Sequence, residues 1–208
     1  MMLVNHFDKV TGFDVADSQI KQANADNIYC NISYQVSPAE QLPLKSESVN
    51  LLTCAQCFHW FDFEAFFTEA RRVLKPNGVL ALITYIRPLI AHSSLKHLIR
   101  DAFNNDPLNK YVAKQLEIVD NGYADVAIPF ADVTRMQTTL VTDGASGDDI
   151  LGYIRSWSSY GLCEKHEPQR AVQLTVDIER KIREQTGADM SDKQFTLETP
   201  FFLILARK

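Results

Sequence analysis

The sequence contains no run of about 18 apolar residues, the length that a membrane-spanning helix requires. Its first nine residues also lack the basic start and the apolar core of a secretory signal peptide. These absences predict a cytoplasmic protein with no membrane partner. Cysteine is scarce as well, with four residues in a chain of 208. So few thiols are typical of reduced cysteines in the cytosol rather than of a disulfide framework.

The sequence also lacks an excess of basic residues. Lysine and arginine total 21 against 26 aspartate and glutamate residues, which gives a net charge of −5. Because phosphate binding requires clustered lysine and arginine, this balance predicts no nucleic-acid partner. Apolar residues make up 46% of the chain and charged residues 23%, as in ordinary globular proteins. The composition leaves the oligomeric state unknown.

A strand–helix–strand unit is predicted between residues 49 and 85. Residues 49–55 form an apolar run of strand length, and Asp62 then opens a helix. Residues 75–78 (Lys-Pro-Asn-Gly) end that helix, and a second apolar strand begins at residue 79. The helix carries apolar residues at intervals of three and four, which predicts one buried stripe. Its members are Phe63, Phe66, Phe67, Ala70, Val73 and Leu74.

Two shorter strands precede this unit, at residues 9–14 and 32–36. Asp17 is placed between them to cap a helix over residues 18–25. Strands that alternate with helices predict an α/β fold with a mostly parallel sheet.

The second half of the chain is predicted to be largely helical. Amphipathic spacing predicts helices around residues 95–103, 150–157 and 171–182, strands at 133–141 and 201–205, and a flexible loop at 143–148. We expect a single domain over residues 1–208. Its sheet core is predicted to comprise residues 1–85, 131–143 and 194–208, with helical cap segments at 86–130 and 145–190.

Acidic side chains lie where the first two strands end. In parallel sheets, ligands bind beyond the carboxyl ends of the strands. Asp14 ends the first strand and could accept hydrogen bonds from both hydroxyls of a ribose, or could simply cap a helix or turn. Glu40 follows the next strand and could face an adenine ring, or could be a solvated loop acid.

The segment after residues 49–55 combines polar and aromatic side chains. Gln56 or His59 could donate or accept a hydrogen bond there, and Trp60 offers apolar contact area. His59 could be a general base near neutral pH or a structural residue. Cys54 and Cys57 form a C-x-x-C pair, which suggests redox chemistry or half a zinc site. No second pair completes a zinc site, and a thioredoxin-type motif would open a helix, whereas Cys54 lies within an apolar strand. We therefore predict no metal and interpret both as buried or lining thiols.

Cations and aromatic residues of the second half could bind a small polar substrate. Arg87 follows the strand that starts at residue 79 and could hold a carboxylate. Arg155, Trp157 and Tyr160 lie together at a predicted helix end, as in the lining of a small-molecule pocket. Trp157 also continues an apolar stripe, so it could equally be a core residue.

These residues together resemble the class I S-adenosylmethionine-dependent methyltransferases. The most specific likeness is at residues 71–78 (Arg-Arg-Val-Leu-Lys-Pro-Asn-Gly), similar to the family's helix-to-strand turn. Residues 10–14, 38–43 and 49–55 resemble its second strand, its adenine-side loop and its fourth strand. Residues 56–62 and 156–160 are similar to the trans-aconitate methyltransferase-like group. The resemblance implies a Rossmann-like sheet with an antiparallel C-terminal strand, S-adenosylmethionine as cofactor and a small-molecule methyl acceptor, such as a carboxylate.

The resemblance also implies roles for individual residues. Cofactor binding falls to Asp14, Val15, Ala39, Glu40 and Gln56, and substrate binding to Trp60, Arg87, Arg155, Trp157 and Tyr160. The reaction is a direct displacement in which the acceptor attacks the sulfonium methyl group. A carboxylate acceptor requires no base, whereas a hydroxyl or amine acceptor makes His59 the candidate base.

The chain departs from the family pattern at its start. The family begins with a strand and a glycine-rich turn, but the first 13 residues here contain only Gly12, and residues 1–7 resemble the end of the helix that follows that turn. In the family the missing strand lies between those at 9–14 and 49–55. We therefore expect an N-terminally truncated chain, in which each unpaired backbone group of the core costs about 1–3 kcal/mol.

This departure leaves open whether the chain is an enzyme. It could be an active methyltransferase that completes its cofactor site by other means, such as a partner chain. It could instead be a non-catalytic fragment or isoform that acts as a binding or regulatory module. A nicotinamide-dependent oxidoreductase ranks last, because that class requires its own glycine fingerprint.

Overall fold

Residues 3–208 are described by a computed structural model, in which the chain forms two units. The first unit contains the described residues up to Leu82, together with Ile128–Thr134 and Leu205–Lys208. The second contains Ile83–Ala127 and Arg135–Ile204. The prediction of one domain with two helical cap segments stays a prediction.

The first unit begins with a parallel strand pair joined by a helix. Strand β1 (Val10–Asp14) and strand β2 (Ile32–Val36) run parallel, with helix α1 (Asp17–Ala25) between them in sequence. Asp17 is the first helical residue rather than the predicted cap, because the capping position is Ala16. The Asp14 carboxylate, rather than Asp17, accepts a hydrogen bond from the Ala16 N–H at 2.7 Å.

The predicted helix end at residues 1–7 is only partly described. Leu3–Asn5 form a single 3₁₀ turn. Residues 1 and 2 lie outside the described part of the chain, so the prediction is untested there.

The predicted strand–helix–strand unit is present in this first unit. It consists of β3 (Val49–Ala55), a 3₁₀ turn (Phe58–Trp60), helix α2 (Phe63–Val73) and β4 (Leu74–Tyr85). Asp62 caps α2 as predicted, since its carboxylate accepts the Ala65 N–H at 3.1 Å. The apolar stripe of the helix is largely buried, at Phe66, Phe67, Ala70 and Val73.

Strand β4 begins at Leu74, directly after α2, and not at residue 79 as predicted. Its first residues pair with the C-terminus of the chain: the Asn77 N–H donates to the Lys208 carbonyl at 3.1 Å, and the Lys208 N–H donates to the Gly78 carbonyl at 3.0 Å. The turn signal at residues 75–78 is therefore a bend within a paired strand. Asn77 provides the bend, with φ of +64°.

The strands of the first unit belong to two sheets. β1 and β2 form a two-stranded sheet, whereas β3 is the outer strand of a larger sheet, next to β4. Among residues 3–208, neither β1 nor β3 has a strand neighbour on its other edge. No residue of β1 is buried, and Cys54 is the one buried residue of β3. The two open edges are therefore within reach of water rather than sealed in a core.

The second unit is mainly helical. Its helices are α3 (Leu98–Asn104), α4 (Glu117–Asp120), α5 (Gly147–Arg155), α6 (Ser158–His166) and α7 (Pro168–Thr186). It also contains β5 (Leu89–Ile90) and most of β6 (Asp132–Ser146) and β7 (Gln194–Arg207). β5 runs antiparallel to β7, with Leu89 opposite Glu198, and β6 also pairs with β7. Together with the parallel β1–β2 pair, these elements confirm the predicted α/β class with an antiparallel C-terminal strand.

One hydrophobic core holds the helices of the second unit together. It is formed by buried side chains of α3, α5, α6 and α7 and includes Ile99, Leu151, Ile154, Cys163 and Ile178. The predicted stripe of α7 is buried in full, at Ala171, Thr175, Ile178 and Ile182. No helix in the described part of the chain is long and apolar enough to cross a membrane.

The flexible loop predicted at residues 143–148 is wrong. β6 continues to Ser146, and α5 starts at Gly147. Ser146 and Asp149 form a capping box, in which the Asp149 N–H donates to the Ser146 hydroxyl at 3.1 Å and the Ser146 N–H donates to the Asp149 carboxylate at 2.8 Å. The polar residues that indicated a loop are thus the cap that joins a strand directly to a helix.

Candidate functional site

Asp14 lies at the exposed carboxyl end of β1. Its side-chain Oδ1 accepts the Ala16 N–H at 2.7 Å, and its carbonyl accepts the Ser37 N–H at 3.1 Å. The first of these contacts is the turn role that the sequence left open for this residue. Val15, the next residue, is 72% exposed, so both positions present their side chains to solvent.

The thiol that follows β3 has a shifted pKa. The pKa of the Cys57 thiol is lowered, chiefly by a hydrogen bond from Cys54, while burial and the charge of Asp14 oppose that shift. β1 and β3 belong to the same unit but to different sheets, so the two predicted strand ends are not those of adjacent strands.

Gln56 turns the chain sharply after β3. Its φ of +54° lies in the left-handed region, which costs energy for a residue other than glycine. The next residues point in different directions: Phe58 is fully buried, and Trp60 is 55% exposed. Phe58 stacks on Phe63 with ring centroids 4.5 Å apart, so it is part of the core that seats α2.

His59 is buried, with 4% of its surface exposed. Burial lowers the pKa of its imidazole, which therefore stays neutral near pH 7. Its ring lies against Trp60, with centroids 5.1 Å apart. A neutral imidazole can accept a proton, so the geometry is compatible with either predicted role, base or structural residue.

Glu40 connects its loop to the start of α2. Its carboxylate accepts the Asp62 N–H at 3.0 Å, an interaction that the sequence did not indicate. Ala39 beside it is half-buried. A shallow pocket opens next to this contact, lined by Glu40, Asp62, Glu64, Ala65, Thr68 and Glu69. Its acidic lining disfavours anionic ligands.

Sequence reasoning missed an ion pair that holds the loop before β3. Glu69 is buried and accepts the Leu42 N–H at 2.6 Å, and Arg72 donates to both of its carboxylate oxygens at 2.7 Å. Arg72 also donates to the carbonyl of Leu44 at 2.8 Å and to that of Leu42 at 3.0 Å. We call Glu69 and Arg72 the loop clamp. The sequence did contain a signal for this contact, because Glu69 lies three residues after Phe66 and therefore on the buried face of α2.

Arg87 is held tightly in the second unit. Its guanidinium lies 3.8 Å from the centroid of the Phe103 ring and forms an ion pair with Asp120. The side chain is 11% exposed. Its Nε is buried and has no hydrogen-bond partner among the described residues. One donor of this cation is therefore buried without a partner in the described part of the chain.

Aromatic residues surround this cation. Trp157 packs edge-to-face on Phe103, with centroids 5.2 Å apart, and on Tyr153 at 5.4 Å. Burial raises the pKa of Tyr153, while a hydrogen bond from Trp157 and the charge of Arg87 act in the opposite direction. We call Arg87, Phe103, Asp120, Tyr153 and Trp157 the Arg87 cluster.

The remaining predicted substrate residues lie near the ends of two helices. Tyr160 is buried in the core of the second unit, and Arg155 is exposed at the last residue of α5. The structure thus brings Arg87 and Trp157 into one cluster. Asp120 and Tyr153 could not be assigned to that cluster from sequence, because they lie far from Arg87 along the chain.

Comparison with known proteins gives consistent results. Residues 1–82 match the family described as a methyltransferase domain. A Dictyostelium discoideum protein named as a methyltransferase is 29% identical over 207 residues, which cover 99% of this chain and 76% of that protein. A malonyl-[acyl-carrier protein] O-methyltransferase of Methylovorus is 30% identical over 127 residues, 59% of this chain and 38% of that protein.

The fold has a counterpart among solved structures. A protein from Anaeromyxobacter dehalogenans, described as a type II methyltransferase, superposes with a TM-score of 0.74 and 24% sequence identity. The match covers 99% of this chain and 83% of the other. The two proteins therefore share a fold over nearly the whole length of this chain.

Proposed function

We propose that this chain, whose residues 1–82 match a methyltransferase domain, transfers the methyl group of S-adenosylmethionine to an oxygen of a small carboxylic acid. The observation that carries the choice of acceptor is the buried Nε of Arg87, which has no hydrogen-bond partner within residues 3–208. Arginine binds carboxylates through paired N–H donors, and a buried donor left without a partner costs about 1–3 kcal/mol. An acceptor carboxylate at Nε removes that cost.

The residues of the first unit fit the nucleoside part of the cofactor. Asp14 presents an exposed carboxylate at a strand end, where it would accept the ribose hydroxyls, and the exposed Val15 would contact the adenine. Gln56, Ala39 and Glu40 are proposed to complete the binding site. When bound, the cofactor supplies a sulfonium methyl group to the attacking oxygen.

The proposed role of the chain's own residues is positioning. A carboxylate is ionised at neutral pH and needs no base. The protein would therefore accelerate methyl transfer mainly by orienting the acceptor towards the methyl group. Arg87 would hold the acceptor, with Arg155, Trp157 and Tyr160 as further substrate residues of the second unit. Trp60, exposed in the first unit, would add apolar contact.

The name of one relative supports an oxygen acceptor. The malonyl-[acyl-carrier protein] O-methyltransferase is named for transfer to oxygen, and a malonyl group carries a free carboxylate. If the acceptor is instead a hydroxyl or an amine, His59 becomes the proposed base, since its lowered pKa keeps the imidazole unprotonated.

A second candidate function is a non-catalytic binding or regulatory module. The open edges of β1 and β3 favour it, and so does the lack of a glycine-rich turn beside Asp14, both within the described residues. Calorimetric titration with S-adenosylmethionine separates the two candidates. We expect saturable binding that Asp14→Ala weakens about tenfold or more, the loss of a charge-assisted hydrogen-bond pair. Asp17→Ala, an exposed acid three residues away, is the control.

No heat at millimolar cofactor, from a protein shown to be folded, would favour the module over the enzyme. Unchanged affinity of Asp14→Ala would remove Asp14 from the site while leaving the enzyme possible.

The acceptor class has its own test, a panel of small mono-, di- and tricarboxylates with radiolabelled cofactor. We expect transfer to at least one acid, and Arg87→Gln should raise the KM for that acid about tenfold or more while kcat changes less. Arg100→Gln, an exposed arginine of α3, should leave both unchanged. Transfer only to hydroxyl or amine compounds would exclude a carboxylate acceptor.

A further inference from the structure

Cys54 and Cys57 lie on either side of the sharp turn that ends β3. Gln56 makes this turn with its φ of +54°. The two thiols influence each other across this turn, and a hydrogen bond between them is the largest cause of both pKa shifts. Because only two residues separate the cysteines and the chain turns at Gln56, their backbones are kept close, as a disulfide requires.

The two thiols differ in access. Cys54 is 5% exposed, whereas Cys57 is half-buried and reachable from solvent. The hydrogen bond from Cys54 lowers the pKa of Cys57, and the pKa of Cys54 itself is raised by that bond and by burial. Oxidation-sensitive thiols typically combine an accessible nucleophile of low pKa with a neighbouring second cysteine.

A metal site does not account for the pair. Within residues 3–208, no group of three or more histidine, cysteine, aspartate and glutamate side chains is arranged to hold a metal ion. The other two cysteines do not take part in any such group: Cys30 is exposed, and Cys163 is buried in the core of the second unit.

We propose that Cys54 and Cys57 form a reversible disulfide when the protein meets hydrogen peroxide, and that Cys57 is the thiol that reacts first. The Cys57 thiolate attacks one peroxide oxygen, the O–O bond breaks, and the leaving hydroxide takes up a proton as water. Cys57 is then a sulfenic acid. The Cys54 sulfur attacks the Cys57 sulfur, the S–S bond forms, and hydroxide leaves with the Cys54 proton as a second water. Two thiols lose two electrons, and the peroxide gains them.

This site is independent of the proposed methyl transfer, because it rests on the thiols alone. Formation of the disulfide would nevertheless affect the proposed cofactor site. Gln56 lies between the two sulfur atoms in sequence, so the disulfide closes a small ring around a residue that we assign to cofactor binding.

The sequence allows a direct test by peptide mapping. Trypsin cleaves after Lys45 and Arg71, so residues 46–71 form one peptide that carries Cys54 and Cys57 and no other cysteine. Cys30 and Cys163 fall on two other peptides. The folded Cys30→Ser protein, which lacks the exposed thiol, is treated with one equivalent of hydrogen peroxide, denatured and alkylated. We expect peptide 46–71 to lose two hydrogen atoms and both alkylation sites, and dithiothreitol to restore them.

Three variants assign the steps. Cys54→Ser should stop at the sulfenic acid, which dimedone traps on residue 57. Cys57→Ser should give neither disulfide nor dimedone adduct at the same peroxide dose. Cys163→Ser is the matched control and should oxidise like the parent, with circular dichroism verifying the fold of each variant.

Two results would overturn the proposal. One is a peptide 46–71 that keeps both free thiols while peroxide oxidises other residues. The other is a dimedone adduct on Cys54 in the Cys57→Ser protein that forms as fast as the adduct on Cys57 in the Cys54→Ser protein. Cys57 would then not be the first thiol to react. The same peptide map can be made on the unsubstituted protein, because Cys30 lies outside peptide 46–71, so the proposal remains testable even if a substitution prevents folding.

Discussion

The strands of the first unit and the helices of the second differ in burial. β1 contains no buried residue and β3 one, whereas α3, α5, α6 and α7 each bury a face in a common core. Yet the residues that carry the family resemblance are mainly in the first unit, at 10–14, 38–43 and 71–78. Family signals therefore follow the chemistry of strand ends and turns, and they do not show where packing contributes most to stability.

The largest expected effect comes from a leucine-to-alanine substitution, which can be compared between the two units. Leu151→Ala empties a site that is 2% exposed, so we expect it to lower the free energy of unfolding by about 3 kcal/mol. Leu51→Ala, at a half-buried site of β3, should cost about 1 kcal/mol, because part of that side chain already contacts water. Denaturant unfolding followed by circular dichroism measures both. Equal losses would mean that β3 is packed as tightly as α5.

A second comparison uses two glycines beside aromatic rings. Gly122 has φ of +63° and lies against the Phe202 ring in the second unit, so Gly122→Ala adds both strain and a clash and should cost about 2 kcal/mol. A Cβ on Gly12 would lie 2.6 Å from the half-buried Tyr34 ring, which would have to move, but Gly12 does not have a positive φ. Gly12→Ala therefore adds a clash without backbone strain and should cost less, about 1 kcal/mol. Melting temperatures of the two variants rank them, and the reverse order would mean that the clash at Gly12 outweighs the strain at Gly122.

For charged contacts, we expect the larger loss in the free energy of unfolding in the first unit rather than in the second. Glu69→Ala leaves the buried Leu42 N–H without its acceptor, so we expect a loss of about 2 kcal/mol from the first unit. Glu167 in the second unit accepts a hydrogen bond from Tyr111 at 2.6 Å but is much more accessible, and Glu167→Ala should cost less. Denaturant unfolding of both variants provides the measurement, and an equal or larger loss in Glu167→Ala would contradict it.

The loop clamp also predicts a pH dependence. Arg72 and the Leu42 N–H lower the pKa of Glu69, so the folded state binds its proton less readily than the unfolded state does. The contribution of Glu69 is therefore complete above the ordinary carboxyl pKa of about 4.3 and is lost as the pH falls through the lowered folded value. The stability difference between the parent and Glu69→Gln should be constant from neutral pH down to about pH 5 and shrink below about pH 4. A difference that grows on acidification would be inconsistent with this sign.

The smallest expected effect is the same in both units. Asp62 caps α2 and Ser146 caps α5, and replacing either with alanine should cost about 1 kcal/mol. Thermal unfolding at pH 7 is the measurement, with the exposed Thr68→Ala as a surface control. A much larger loss at Ser146 would indicate that the capping box also holds the β6–α5 junction.

Sequence patterns predicted the elements whose signals are local. The α2 stripe and its Asp62 cap, and the α7 stripe from Ala171 to Ile182, follow from spacing within one helix, and the structure contains all of them. The start of β4 was not predictable, because the pairing of Asn77 and Gly78 with Lys208 joins positions far apart in the chain. Ser146 was misassigned for a different reason, since the residues of a cap are also those of a loop.

The candidate site was predictable to a similar extent. Asp14, Gln56 and Trp60 lie at strand ends, a position that the order of strands and helices determines. The partners of Glu40 and Arg87 were not predictable, because the contacts to Asp62 and Asp120 depend on tertiary structure.

The loop clamp has a consequence for the motions of the first unit. Residues 42–48 have no regular structure of their own. Leu42 burial and the bonds to Glu69 and Arg72 hold their first half, and the Glu47 and Ser48 N–H groups donate to the carbonyls of Arg72 and Val73. A segment held without a helix or strand of its own can open locally, with a smaller free energy than global unfolding. Amide exchange at Leu42 and tryptic cleavage after Lys45 should therefore report local opening of this loop, and Ala39 and Glu40 just before it should gain mobility each time the clamp releases.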